Sequence, residues 1–162
     1  MTKPEKQQAQ FISPESYPQM MSKQNAALAL RTLRSSRTMD KAQVAMEQAV
    51  PPLKAAILQY VAELDAGARD MAVVFDKIHE IRGFAENAGM LSTGRIAEVL
   101  CHYMDDMDRL GLPADAAIVA LHVSAISRAA AAEEDDVRMG EIVAAELAAL
   151  VTRKLLEAQS SA

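Results

Sequence analysis

From Asp40 onward the apolar residues of this chain recur at three- and four-residue intervals, the period of amphipathic helices. The run DKAQVAMEQAV opens with Asp40, suited to an N-cap. It is expected to stop at Pro51–Pro52, because proline lacks an amide proton and breaks a helix interior. LKAAILQYVAELDAG follows, with Pro52 in its first turn and Gly67 at its end. A third helix is expected over RDMAVVFDKIHEIRGFAENAGM. Ser92 or Thr93 suits the N-cap of GRIAEVLCHYMDDMDRLG, which closes at Gly111. Pro113 is expected to open PADAAIVALHVSAISRAAAA. The acidic run from Glu133 to Asp136 interrupts the pattern, and its carboxylates suit the positive N-terminus of the last helix, VRMGEIVAAELAALVTRKLLE.

No alternating strand pattern and no internal repeat is present in the sequence. Helices of this length with short connections predict an all-α protein, an antiparallel up-and-down four-helix bundle with one or two additional N-terminal helices. Residues 40–158 are expected to form the bundle, residues 159–162 a tail, and residues 1–39 a basic, polar segment that is partly disordered. Within that segment, the first 24 residues are rich in Gln, Ser and Pro and carry no sustained period, which predicts disorder or loose packing. NAALALRTLRSSR is expected to form a short basic helix with solvated arginines.

Composition sharpens this picture in a few places. The chain has 162 residues, enough for one domain with a core, and Gly and Pro are scarce at six each, as a helical protein requires. Its net charge of −5 is uneven. Six basic and two acidic residues precede Asp40, so the rest of the chain holds the remaining eleven basic and twenty acidic residues. An acidic body argues against nucleic acid as a partner. The single cysteine, Cys101, excludes an intramolecular disulfide and a cysteine metal cluster, and no metal site is expected. No apolar run reaches membrane-spanning length, and the N-terminus lacks the apolar stretch of a secretory signal, so a cytoplasmic protein is expected. One chain supplies enough helices to close a bundle, so a monomer is expected.

The chemistry concentrates in KIHEIRGFAENAG, residues 77–89. On a helical wheel Val74, Ile78, Ile81, Ala85 and Ala88 form one apolar stripe that should face the core. His79 points roughly 140° away from the stripe centre, at 100° per residue, and is expected at the surface. Arg82 lies one turn on, close enough to share a ligand, and Gly83 follows on the same face. Glycine inside a helix costs about 1 kcal/mol relative to alanine, so an outside requirement is implied. Removing a side chain beside an exposed histidine lets another molecule approach. Neutral imidazole is a nucleophile at physiological pH, and a guanidinium offers fixed charge and a planar donor fork to a phosphoryl group. The chemistry indicated is phosphoryl acceptance by His79, with Arg82 offsetting the charge. Phe75, Asp76, Gly83 and Glu86 lie within two turns of His79 and are the candidate docking residues.

The spacing of His79, Arg82, Gly83, Ala85 and Gly89 resembles the signature of histidine-containing phosphotransfer domains. The resemblance extends over roughly residues 53–156 when the helical frame is included. It implies a four-helix bundle, a covalent phosphohistidine on His79, and structural places in the motif for Ala85 and Gly89. Its implied partners are response-regulator receiver domains, whose aspartate gives or takes the phosphoryl group, and a hybrid histidine kinase. It implies no cofactor of the chain's own, since Mg²⁺ belongs to the receiver's acidic pocket. Arg82 stands where such domains more often have lysine. The tetrad HEIR also resembles the phosphoacceptor box of sensor histidine kinases, but Gly83 and Phe84 replace the Thr-Pro that usually follows, and no nucleotide-binding segment comes after. A non-transferring adaptor of the same fold and a dimeric kinase-like phosphotransferase are the alternatives.

The other candidate groups read more plainly. His102 falls off the apolar stripe of its helix and is expected at the surface. His122 sits among apolar residues and is expected to be packed and hydrogen-bonded. Asp105, Asp106 and Asp108 lack cation-loop spacing and suit a solvated face. Cys101 falls opposite the stripe, where exposure is expected.

Overall fold

The computed structural model describes residues 21–67 and 70–161, and every regular element among them is an α-helix. In chain order they are α1 (Lys23–Leu33), α2 (Ser36–Asp65), α3 (Met71–Ala85), α4 (Leu91–Arg109), α5 (Ala116–Ala130) and α6 (Val137–Ser161). The protein is all-α. The expectation for residues 1–20 lies outside the described residues. None of the described helices is long and apolar enough to cross a membrane.

The chain divides into two compact units, one up to Gln43 and one from Val44. In the first, Ser22 caps α1 by accepting a hydrogen bond from the Asn25 amide at 3.2 Å, so order begins before residue 24. α1 buries none of its side chains. Ser35 makes the turn into α2: its hydroxyl donates to the Thr32 carbonyl at 2.8 Å and lies 2.9 Å from the Thr38 hydroxyl. α2 therefore starts ahead of Asp40, and the boundary expected at residues 39/40 falls inside a helix.

The stop expected at Pro51–Pro52 does not occur, and α2 runs through both prolines. Both rings are exposed, so neither is forced against the core, and the two missing amide donors are a local loss. Beyond them Ile57, Val61 and Leu64 are buried, which anchors the second half of the helix. Lys77 of α3 reaches back to α2, pairing with the Glu63 carboxylate and lying 5.5 Å from the centre of the Tyr60 ring. The hydrogen bonds from Lys77 and Gln59 hold the Glu63 carboxyl below its ordinary range.

α4 is the central element of the second unit, packing against α3, α5 and α6, while α5 also packs against α6. Nine of its residues are buried, and they occupy two adjacent faces, Ser92, Ile96, Leu100, Tyr103 and Met107 on one and Thr93, Ala97, Cys101 and Met104 on the other. That is why Cys101 is buried where exposure was expected: a helix covered on three sides has no single stripe. Full burial of an aliphatic side chain such as Leu100 contributes about 1.5–3 kcal/mol relative to exposure.

The helix ends are closed by devices only partly matching the expected ones. Gly89 and Gly111 have φ of +68°, and each ends a helix in the double hydrogen bond of a left-handed cap. At the first, the Met90 amide reaches the Ala85 carbonyl at 2.8 Å. At the second, the Leu112 amide reaches the Met107 carbonyl at 3.0 Å. Neither Ser92 nor Thr93 caps α4, whose N-cap is Met90. The missing acceptor comes from Asp135, which receives the Leu91 amide at 2.6 Å and the Ser92 amide at 3.1 Å. Of the carboxylates in the acidic run, that of Asp136 serves α6, accepting from the Met139 amide at 3.0 Å. α5 starts three residues after Pro113, because Asp115 caps it through the Ala117 amide at 2.8 Å. α6 continues to Ser161, past the start expected for the tail.

α4 and α6 approach closely where Gly140 meets Ser92. A Cβ added at Gly140 would stand 2.4 Å from the Ser92 Cβ and 2.7 Å from its Cα. Because part of that obstacle is backbone, Gly140→Ala is expected to cost about 1–3 kcal/mol, as overpacking does. A lowered urea midpoint would check this.

His122 is fully buried on α5, and its Nδ1–H donates to the Ile118 carbonyl at 2.8 Å. Its Nε2 has no hydrogen-bond partner among the described residues. Burial pushes the imidazole below its ordinary value of 6.5, against the smaller opposing effect of the Ile118 carbonyl. The unfolded chain therefore takes up this proton first as pH falls. Wild type is expected to lose stability below about pH 6.5, and the His122→Leu variant should lack that component. Urea midpoints of both proteins from pH 8 to pH 5 measure the difference.

Candidate functional site

α3 divides its side chains cleanly between core and surface. Asp70 caps its start by accepting from the Ala72 amide at 2.9 Å. Val74, Ile78, Ile81 and Ala85 are buried, as is Ala88 in the following turn, and this is the expected stripe. Packing of that stripe on α4 sets the rotation of the helix. His79 is consequently exposed, together with Asp76, Gly83 and Glu86, while Phe75 and Arg82 are half-buried.

Three of these groups meet. The Phe75 ring lies 6.0 Å from the His79 ring, centre to centre, with the planes tilted by 34°. On the other side, Arg82 Nη2 is 3.2 Å from His79 Nδ1. A guanidinium has only donors, so Arg82 donates and His79 Nδ1 accepts. Arg82 is thus in contact with the ring before any third group arrives. Asp76 and Glu86 remain exposed at the surface, bordering the site while the imidazole is held by Arg82.

Gly83 answers to nothing inside the protein. Beyond its chain neighbours and the backbone of its own helix, no atom stands within 4 Å of the place a Cβ would occupy, and its backbone is ordinary helix. Its counterpart Gly94 on α4 is different, since a Cβ there would stand 2.8 Å from the Ala85 Cβ. Gly94 and Ala85 are the close approach that brings α3 onto α4, and Gly89 makes the turn between them.

Two clefts flank the histidine along α3 and α4. One, of about 470 Å³, is lined by Arg82, Glu86, Arg95, Glu98, Leu91 and Glu141. Arg95 pairs with Glu98 within it. The other, of about 360 Å³, is lined by Phe75, Met71, Met104, Leu112, Asp105 and Asp108. One side of the site is therefore charged and the other mostly apolar. Arg95 was not anticipated from the sequence; its signal is the position one turn into α4, beside the α3–α4 turn that carries Gly89.

The remaining candidates stand apart. His102 is exposed. Asp106 pairs with Arg109 at 2.8 Å, and Asp105 and Asp108 border the Phe75 cleft. Among the described residues no group of three His, Cys, Asp or Glu side chains is placed to hold a metal ion. Burial pushes the Cys101 thiol up to about 11, with the Arg82 guanidinium pulling weakly the other way. At that value the thiolate nucleophile is essentially unpopulated at neutral pH.

The chain matches no protein-family model, no curated protein and no solved structure. The functional reading therefore rests on the residues and geometry of this site.

An alanine at position 83 has room and gains helix propensity. Gly83→Ala is expected to stabilise the protein by about 0.5–1 kcal/mol, which a raised urea midpoint would show.

Proposed function

We infer that the protein is a histidine phosphotransfer carrier, taking a phosphoryl group onto His79 from the aspartate of a receiver domain and passing it to another. The observation that carries this reading is the exposed His79 ring with the Arg82 guanidinium on its nitrogen and the unoccupied Gly83 beside it. The core requires none of the three, and all three suit a reaction with an outside phosphoryl group. In the transfer, the lone pair of a ring nitrogen attacks phosphorus, the N–P bond forms, and the P–O bond to the aspartate breaks. The carboxylate leaves with the electron pair, and the proton on the other ring nitrogen passes to water. Arg82 offsets the charge of the transferred group.

The apolar cleft beside Phe75 and the charged cleft beside Arg82 supply a mixed surface of the kind transient partners use. In this reading Asp76, Gly83 and Glu86 belong to the docking surface, and the receiver brings Mg²⁺ and the in-line geometry. A hybrid histidine kinase is a further partner, and the setting is the cytoplasm. The same reading takes α3–α6 as an antiparallel four-helix bundle with the preceding helices as additions. The packing of α4 on α3, α5 and α6 supports that arrangement.

Phosphorylated receiver domains incubated with the protein are expected to label it with an acid-labile, base-stable phosphate, and His79→Gln should carry none. Gly83→Ala should be slower in the same assay, because its methyl group stands where the receiver must approach. Tight receiver binding without transfer would make the protein an adaptor and overturn the carrier reading.

A further inference from the structure

The contact between Arg82 and His79 constrains the imidazole more than a nearby positive charge would. Guanidinium nitrogens only donate and do not lose their protons in proteins. His79 Nδ1, 3.2 Å from Arg82 Nη2, must therefore present its lone pair. A neutral imidazole carries one proton, so that proton sits on Nε2. The doubly protonated ring is incompatible with the contact, because two N–H donors would face each other. In this arrangement neither ring nitrogen is a free nucleophile: Nδ1 is engaged and Nε2 is protonated.

We propose that Arg82 is a latch that masks His79 at rest and releases it when an anionic group draws the guanidinium away. The geometry supplies both positions. Arg82 touches the imidazole, and it also lines the cleft of about 470 Å³ that holds a second guanidinium, Arg95. An incoming phosphoryl group competes for the Arg82 donors with a stronger, charge-assisted hydrogen bond than a neutral ring nitrogen can offer. Once Arg82 turns to it, Nδ1 is free to react directly or to take a proton from water while Nε2 gives one up. Until the transfer itself the ring holds one proton in either case. The same residue then blocks the nucleophile before docking and offsets charge after it. The latch rests on the phosphotransfer reading for its purpose but not for its existence.

The test uses the whole chain and needs no partner. Nitrogen-15 NMR of the histidine rings is expected to show His79 of the wild type with a proton on Nε2 and a bare Nδ1. A wild-type His79 with its proton on Nδ1 would overturn the latch. Carbethoxylation of His79 by diethyl pyrocarbonate, followed by mass spectrometry at pH 8, reads nucleophilicity directly. Arg82→Ala is expected to react about five-fold faster than wild type, the scale of one modest hydrogen bond. Arg82→Lys, which retains a charged donor, should remain closer to wild type. An Arg82→Ala rate equal to or below wild type would refute the mask. Arg82→Ala should nevertheless accept phosphoryl from a receiver more slowly, having lost the charge. Faster carbethoxylation with no receiver transfer at all in wild type would uphold the latch and sink the phosphotransfer reading; the converse pattern would do the reverse.

Discussion

The carboxylate of Asp135 accepts hydrogen bonds from the first two amides of α4, and much of the second unit depends on that joint. A helix buried on three sides cannot leave its end amides to water, and the Met90 side chain has no oxygen to offer them. Asp135 lies in the connection between α5 and α6, 44 residues from Leu91. Ser92 strengthens the joint by donating its hydroxyl to the Asp136 carbonyl at 2.9 Å, and Gly140 lets α6 lie directly on it. The other end of α4 is held by Tyr103, whose buried hydroxyl accepts from the Asp115 amide at 2.9 Å. α4 is thus pinned at both ends by its neighbours, and α3 takes its orientation from α4.

That chain of dependence reaches the site. Ala85 and Gly94 set how near α3 comes to α4, and the buried stripe of α3 sets its rotation. His79 is presented outward because Ile78 and Ile81 are held inward. The outward face carries little of the folding energy, so its composition is free to follow the demands of a partner. A helix-interior glycine that touches nothing is what such freedom leaves behind.

How much of this was legible in the sequence follows from the range of the interactions. The α3 stripe was legible because it depends on local periodicity alone, and so was the outward His79. The position of Cys101 was not, because a wheel reports one apolar face and α4 is covered on several. The stop at Pro51–Pro52 was misjudged because a proline's local cost weighs less when the residues beyond it are anchored by Ile57, Val61 and Leu64. The sequence places Asp135 beside the N-terminus of α6, whereas its carboxylate serves amides far back in the chain, and no spacing rule reaches that distance. Similarly, Arg82 was legible as a neighbour of His79, but which nitrogen it meets is settled by side-chain rotamers.

The burial of Cys101 has a practical consequence for watching this protein at work. It is the chain's sole cysteine, it is fully enclosed, and its thiol is held in the unreactive protonated form. The folded protein consequently offers no reactive thiol to maleimides or thiol-directed spin labels. A cysteine placed at an exposed position near the site, such as Glu86, would be the only handle the reagent could find. The natural chain is already a background-free scaffold for attaching one probe at one chosen place, with its core left untouched.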